Sequence, residues 1–163
     1  MTDRLTPERR SANMRRIRAA DTRPEMSVRR ALRELKIGYR LHARDLPGRP
    51  DIVIRSRRLA IFVHGCFWHR HPGCRFAYTP KSNLDFWTRK FESNVKRDST
   101  NIQDMMMAGW TPIVIWECET KDASRLKTRL GELIGVPVAP EGSQGENGVP
   151  GASPRRCGCP SSA

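Results

Sequence analysis

The spacing of apolar and polar positions changes period several times along this chain, and each change predicts an element. Thr6-Pro7-Glu8 has the form of a helix start, an N-cap followed by a proline whose missing N–H costs nothing there. The helix it would open, through Met14 and Ile17, carries Arg9, Arg10, Arg15, Arg16 and Arg18 and has almost no apolar face to bury. It reads as a basic arm over 1–20, either a solvated terminus or a segment that orders on a nucleic acid. Thr22-Arg23-Pro24-Glu25 is a T-x-x-E capping box that starts a second helix, and Glu25 needs no further role than that reciprocal cap. Val28, Leu32 and Leu35 form its buried stripe, Arg29, Arg30, Arg33 and Lys36 lie mostly off it, and Gly38 ends it. Tyr39, Leu41 and Ala43 alternate with Arg40, His42 and Arg44, which predicts a half-buried strand. A Leu46-Pro47-Gly48-Arg49-Pro50 turn leads into Asp51-Ile52-Val53-Ile54, and a turn at Ser56-Arg57-Arg58 leads into Leu59–Val63, both apolar enough to be core strands.

Further on, Ser82-Asn83-Leu84-Asp85 reads as another capping box. It opens a long helix with Trp87, Phe91, Val95, Ile102 and Met106 at helical spacing, stopped by Gly109. Thr111–Trp116 is a further buried strand, and Leu126, Leu130, Leu133 and Ile134 mark a last helix closed by Gly135. A meander, a long helix and then a strand that must cross over predict an α/β fold, a mixed central sheet flanked by helices. The folded domain is expected over 21–136. The Pro-, Gly- and Ser-rich stretch 137–163 is expected to be a disordered tail, and its Cys157-Gly158-Cys159 reads as incidental.

Composition changes the picture in one direction. Thirty Lys+Arg against seventeen Asp+Glu give a net charge of +13, which points to a polyanionic partner such as nucleic acid. Residues 1–50 hold fourteen of those cations against six acids, a net of 14 − 6 = +8, and thirteen of the fourteen are arginine, whose fork suits phosphates and base edges. No apolar run approaches the roughly 20 residues of a membrane span, and the amino terminus lacks a signal-peptide core, so a cytoplasmic protein is expected.

Three of the four histidines and two of the five cysteines fall within Val63-His64-Gly65-Cys66-Phe67-Trp68-His69-Arg70-His71-Pro72-Gly73-Cys74. Thiolate and imidazole are the ligands zinc prefers, and an odd number of cysteines in a reducing compartment reads as metal ligands or free thiols before disulfides. Cys66, His71, Cys74 and Cys118 make a closed and therefore structural Cys3His set, a zinc-stabilised loop, although residue types alone leave His69 and His71 interchangeable. Phe67 and Trp68, held in that loop, are candidates for an aromatic platform. Asp51, at the start of a core strand after a Gly/Pro loop, is placed like a catalytic carboxylate, though a lone Asp there is more often a turn residue.

HGCFWH at His64–His69, with PGRPD upstream and WEC downstream, resembles the very short patch repair endonucleases, bacterial enzymes that nick DNA at T:G mismatches. The resemblance runs from about Ser11 to Ile134 and includes S-x-NM-R-x-I from Ser11, DT-x-x-E from Asp21 and NV-x-RD from Asn94. It implies a restriction-endonuclease-like core over 21–136 in which Asp51 holds catalytic Mg2+ with the backbone carbonyl of Val63. His69 would be the general base, His64 its neighbour, and Glu25 an acidic residue supporting the metal's water network. It further implies structural Zn2+ on Cys66, His71, Cys74 and Cys118. Phe67, Trp68 and Trp87 would wedge into the duplex while the amino-terminal helix, with Met14 and Arg15, lies across the minor groove. The implied act is a strand-specific nick 5′ to the T of a T:G mismatch left by deaminated 5-methylcytosine. A monomer would work beside a cytosine-5 methyltransferase and a repair polymerase and ligase. Residue types leave two alternatives: a zinc-stabilised DNA-binding module without catalysis, and a nuclease with a different target.

Overall fold

The computed structural model describes residues 20–138, so the basic arm with Met14 and Arg15, and the Cys157-Gly158-Cys159 stretch, lie outside the described residues. Helix α1 (Arg23–Glu34) is followed by strands β1 (Arg40–Leu41), β2 (Ile52–Ile54) and β3 (Leu59–His64). Helix α2 (Leu84–Met107), strand β4 (Thr111–Trp116) and helix α3 (Ala123–Ile134) complete the order. The sheet runs β1-β2-β3-β4. β1, β2 and β3 pair antiparallel, and β4 returns parallel to β3 with Leu59 opposite Thr111 and His64 opposite Trp116. That is the mixed sheet with a helical crossover which the pattern predicts.

Alternation along the strands divides the core in two. Ile61, Ile113 and Ile115 face α1 and α3, whose Val28, Leu32, Leu126, Leu130 and Ile134 are all buried. Ala60 and Phe62 face the other way, onto Met105 near the end of α2. The sheet is therefore covered on both faces, and the carboxyl ends of β3 and β4 open into the loop that carries the histidines and cysteines.

Local departures from the pattern have identifiable causes. The predicted strand 39–44 shrinks to two exposed residues, because His42 adopts φ 47° and turns Ala43 inward while its N–H still reaches the Asp51 carbonyl at 3.1 Å. α1 ends at Glu34, before Gly38, in a Schellman motif. Lys36 supplies the left-handed residue at φ 56°, and Ile37 N–H bonds the Leu32 carbonyl at 2.9 Å. Asn83 caps α2 with φ 54° and no side-chain bond, so the expected box at Ser82–Asp85 does not form. The buried stripe of α2 is Trp87, Phe91, Asn94 and Met105, whereas Val95 and Met106 are exposed. Over 24 residues, positions spaced by four drift off a face that repeats every 3.6. Leu133 of α3 is likewise exposed, while Gly135 closes that helix at φ 73° as expected.

Candidate active site

A cleft of about 480 Å³ opens where β2 and β3 part, and its walls include Glu25, Asp51, Val63, His64, His69 and Asp98. The antiparallel ladder ends at Ile52 opposite Ile61. Beyond it, the Asp51 side chain takes over the hydrogen bonding, with Val63 N–H donating to its Oδ2 at 2.7 Å. Burial pushes the Asp51 carboxyl above the usual carboxylate range, the Val63 N–H opposes that shift, and the negative charge of Glu25 adds to it. A half-buried carboxylate beside a second one is the environment a hard cation relieves, so the donor set fits Mg2+ or a similar ion.

Helix α2 aims the histidine loop. Its buried Asn94 donates Nδ2 to the Trp68 carbonyl at 3.0 Å, and Asp98, one turn further on, takes His69 Nδ1 onto Oδ2 at 2.5 Å. With Nδ1 so engaged, Nε2 is the ring nitrogen that His69 has left, on a side chain that lines the cleft. The His64 ring stacks on His69 with centroids 4.0 Å apart. Burial first, and the neighbouring His69 second, pull the His64 imidazole down to about 4, so it is neutral at physiological pH.

Glu25 sits at the entrance to α1 and serves as the reciprocal cap, accepting the Asp21 N–H at 3.0 Å and the Thr22 hydroxyl at 2.8 Å. It also pairs with Arg29 Nη2 at 3.1 Å, and Arg29 Nη1 reaches Asp21 at 2.5 Å. Arg29 is therefore buried at 6 % exposure, where helical spacing alone puts it off the apolar face.

The four thiol and imidazole residues come together as a second cluster. The ligand atoms of Cys66, His71, Cys74 and Cys118 lie within 4.8 Å of one another. Cys66 Sγ is 3.7 Å and Cys118 Sγ 3.3 Å from His71 Nδ1, close to the edge of about 3.6 Å of a tetrahedron with zinc-like bonds. His71 lies flat on Trp116, centroids 4.2 Å apart, which fixes its ring, and burial pushes the Cys66 thiol up to about 12. A buried sulfur of that kind becomes a thiolate only beside a cation, so this set fits zinc. The geometry selects His71, rather than His69, as the imidazole of this group.

Phe67 is the hub of an aromatic cluster, with ring centroids at 5.1 Å from Trp68, 5.1 Å from Tyr78, 5.4 Å from Trp87 and 5.2 Å from Phe91. Trp87 is only 6 % exposed, so a wedge made by its ring requires the cluster to open; Phe86 at 55 % and Tyr78 at 63 % form the outer rim.

The profile described as DNA mismatch endonuclease Vsr matches residues 2–75. The chain is 49 % identical over 134 residues to the type II nicking enzyme V.XorIIP of Xanthomonas oryzae pv. oryzae, covering 82 % of this chain and 98 % of that protein. It is 39 % identical to the type II nicking enzyme V.NmeAIP of Neisseria meningitidis serogroup A, covering 82 % and 95 %. With the DNA mismatch endonuclease Vsr of Escherichia coli K12 it shares 38 % identity over 117 residues, 72 % of this chain and 74 % of that one.

The chain belongs to the Vsr family of DNA mismatch endonucleases.

As a Vsr-family protein it is a DNA endonuclease and acts on DNA. No helix among its described residues is long and apolar enough to cross a membrane. Of the residues expected in a Vsr active site, Glu25, Asp51, Val63, His64, His69 and Trp68 line one cleft, while Phe67 and Trp87 stand beside it through the aromatic cluster. Sequence reasoning assigned no role to Asp98, Asn94 or Glu117. Glu117 lines the cleft and accepts the Cys66 N–H at 3.3 Å. The signal for the first two was available: Asn94 and Asp98 stand four apart in NV-x-RD, a polar pair on a stripe that continues from Trp87 and Phe91.

Proposed function

We propose that this protein is a Mg2+-dependent, strand-specific endonuclease that nicks 5′ to the T of T:G mismatches arising from 5-methylcytosine deamination. Its core would be restriction-endonuclease-like and its loop zinc-stabilised. The observation that carries the reading is the convergence of the half-buried Asp51 carboxylate and the Asp98–His69 pair on one cleft of a chain related to a mismatch endonuclease. Mg2+, held by Asp51 with the Val63 carbonyl, would supply charge stabilisation at the phosphate. Asp51 binds and orients through a carboxylate whose Oδ2 the Val63 N–H already fixes. His69 takes the proton of the attacking water at Nε2, because its Nδ1 is committed to Asp98. Neutral His64 packs against that ring without adding charge, and Glu25 adds negative potential at the entrance. Zn2+ on Cys66, His71, Cys74 and Cys118 would fix the path of the loop. Phe67, Trp68 and Trp87 would enter the duplex, a wobble pair being cheaper to disrupt than a matched one. Met14 and Arg15 of the basic arm would add contacts to the DNA. In the cell this implies a cytoplasmic monomer working beside a cytosine-5 methyltransferase and a repair polymerase and ligase.

The test uses end-labelled duplexes differing only in T:G against C:G at a methylatable cytosine, at near-physiological salt, with and without Mg2+. A Mg2+-dependent nick on the T strand alone is expected. Binding without any cut, across varied flanks and with zinc present, would instead leave a DNA-binding module.

Two variants probe the parts. Asp98→Asn should lower the nicking rate by about ten- to a thousandfold, because an amide does not hold the His69 tautomer as a carboxylate does. DNA affinity should be retained, and an unchanged rate would remove Asp98 from the site. Trp68→Ala should weaken T:G binding by about 1–3 kcal/mol while matched duplex binds nearly as before. Equal losses on both duplexes would make Trp68 a packing residue only.

A further inference from the structure

The floor of the cleft is acidic, with Asp51, Glu25, Glu117 and Asp98 along a space that must accept a strand of phosphates. Two arginines line the same cleft, Arg49 and Arg97, from elements far apart in sequence. Arg49 closes the turn after Leu46, its N–H on the Leu46 carbonyl at 3.2 Å, and it holds φ 50°, a conformation costly for a residue with a Cβ. Arg97 stands on α2 with its side chain 58 % exposed, and its Nη2 lies 3.6 Å from Asp98 Oδ1, longer than a hydrogen bond.

Gly48 brings the two together. A Cβ at Gly48 would lie 2.7 Å from the Cβ of Asn101, which is one helical turn beyond Arg97. Only glycine lets the turn close on α2 at that point, and its φ of 67° suits the same residue. One guanidinium is thus delivered from the turn and one from the helix to the wall of a single acidic cleft.

We propose that Arg49 and Arg97 form a clamp for the DNA backbone, holding phosphates that flank the one to be cut. The assignment rests on the nicking reading and deepens it. Phosphate contacts fix register without reading sequence, and the arginine fork suits phosphate oxygens. The clamp offsets the repulsion that a polyanion would meet above the carboxylates, so the strand is seated where Asp51 and His69 face it.

The experiment measures binding of zinc-loaded, full-length protein to T:G and C:G duplexes across a salt series, and nicking of the T:G duplex in Mg2+. Arg49→Asn keeps a residue that tolerates positive φ, and Arg97→Gln keeps a good helix former. Each should lower the slope of log affinity against log salt by about 0.9 and the pair by about 1.8, with the T:G to C:G ratio unchanged. A double variant that melts like the wild type and keeps its slope would overturn the clamp, and so would a collapse of the ratio. Should the double variant fail to fold, Arg49→Lys with Arg97→Lys decides: retained slope with slower nicking supports the clamp, whereas nicking at the wild-type rate counts against it. Failure of the nuclease reading is separate, since it would appear as a wild type that binds with the full slope and nicks neither duplex.

Discussion

Asp51→Asn is expected to reduce nicking by about a thousandfold or more while making the Mg2+-free protein more stable at neutral pH. Both effects come from one environment. Burial raises the Asp51 carboxyl above its ordinary value, so the folded protein favours the protonated form. Its contribution to stability is complete below the ordinary carboxylate range and is lost as pH rises through the raised folded value. At neutral pH the ionised carboxylate is a net cost that a bound cation offsets. Asparagine avoids the charge and can still accept the Val63 N–H, so a gain of about 0.5–2 kcal/mol is expected at pH 8 and little at pH 4. Asp51→Ala should also stop nicking, but it strands the Val63 N–H and should cost about 1–3 kcal/mol. Thermal unfolding with zinc retained, read beside nicking of a T:G duplex, separates these outcomes. Persistent nicking in either variant would move the essential carboxylate elsewhere, and an Asn variant that melts lower at pH 8 would contradict the burial account.

Cys118→Ser is expected to lower the thermal midpoint by about 10–20 °C, corresponding to roughly 3–5 kcal/mol. Cys118 follows β4 in the 3-10 turn Glu117–Lys121, whereas the other three members of its cluster lie in the 66–74 loop. It is the residue through which a metal would tie that loop to the parallel strand pair, and binding energy of this kind is folding energy. Without the cation the Cys66 thiol, pushed up to about 12 by burial, stays protonated and the loop loses its fastening. Since His69 stands between Cys66 and His71, nicking should fall together with stability. Stripping zinc with a strong chelator, which is then removed before assay in fresh Mg2+, should reproduce both losses in the wild type, and added zinc should reverse them there but not in the variant. An unchanged melting curve would take Cys118 out of the metal set.

The order of elements was legible because strands and helices differ in hydrophobic period and the capping box at Thr22 declares a start. The crossover followed from chain order, and the Schellman end of α1 did not, because Lys36 in a left-handed conformation leaves no mark that Gly38 does not leave more strongly. The outer stripe of α2 misled for a different reason. Val95 and Met106 are apolar, yet Asn94 and Asp98 are the side chains turned inward, since they hold the loop rather than fill a core. Polar residues that grip another segment are indistinguishable in composition from solvated ones until their partners are known. Arg29 repeats the lesson: its burial is set by Glu25 and Asp21, not by the helix period. The thiol and imidazole residues were legible as a set by chemistry, and which histidine belonged to it was decided by Nδ1 of His71 lying between two sulfurs.

Helix α2 carries Trp87 near one end, Asn94 and Asp98 in its middle and Met105 embedded under the sheet at the other. Asp98 lies eleven positions beyond Trp87, about 16.5 Å along a straight helix. A helix is stiff at that length, so the backbone positions of Trp87 and Asp98 keep a constant separation and a constant angular offset. The molecule therefore contains its own ruler: the floor of the aromatic cluster and the carboxylate that grips His69 are set on one rigid element, and neither can shift along the helix axis without the other.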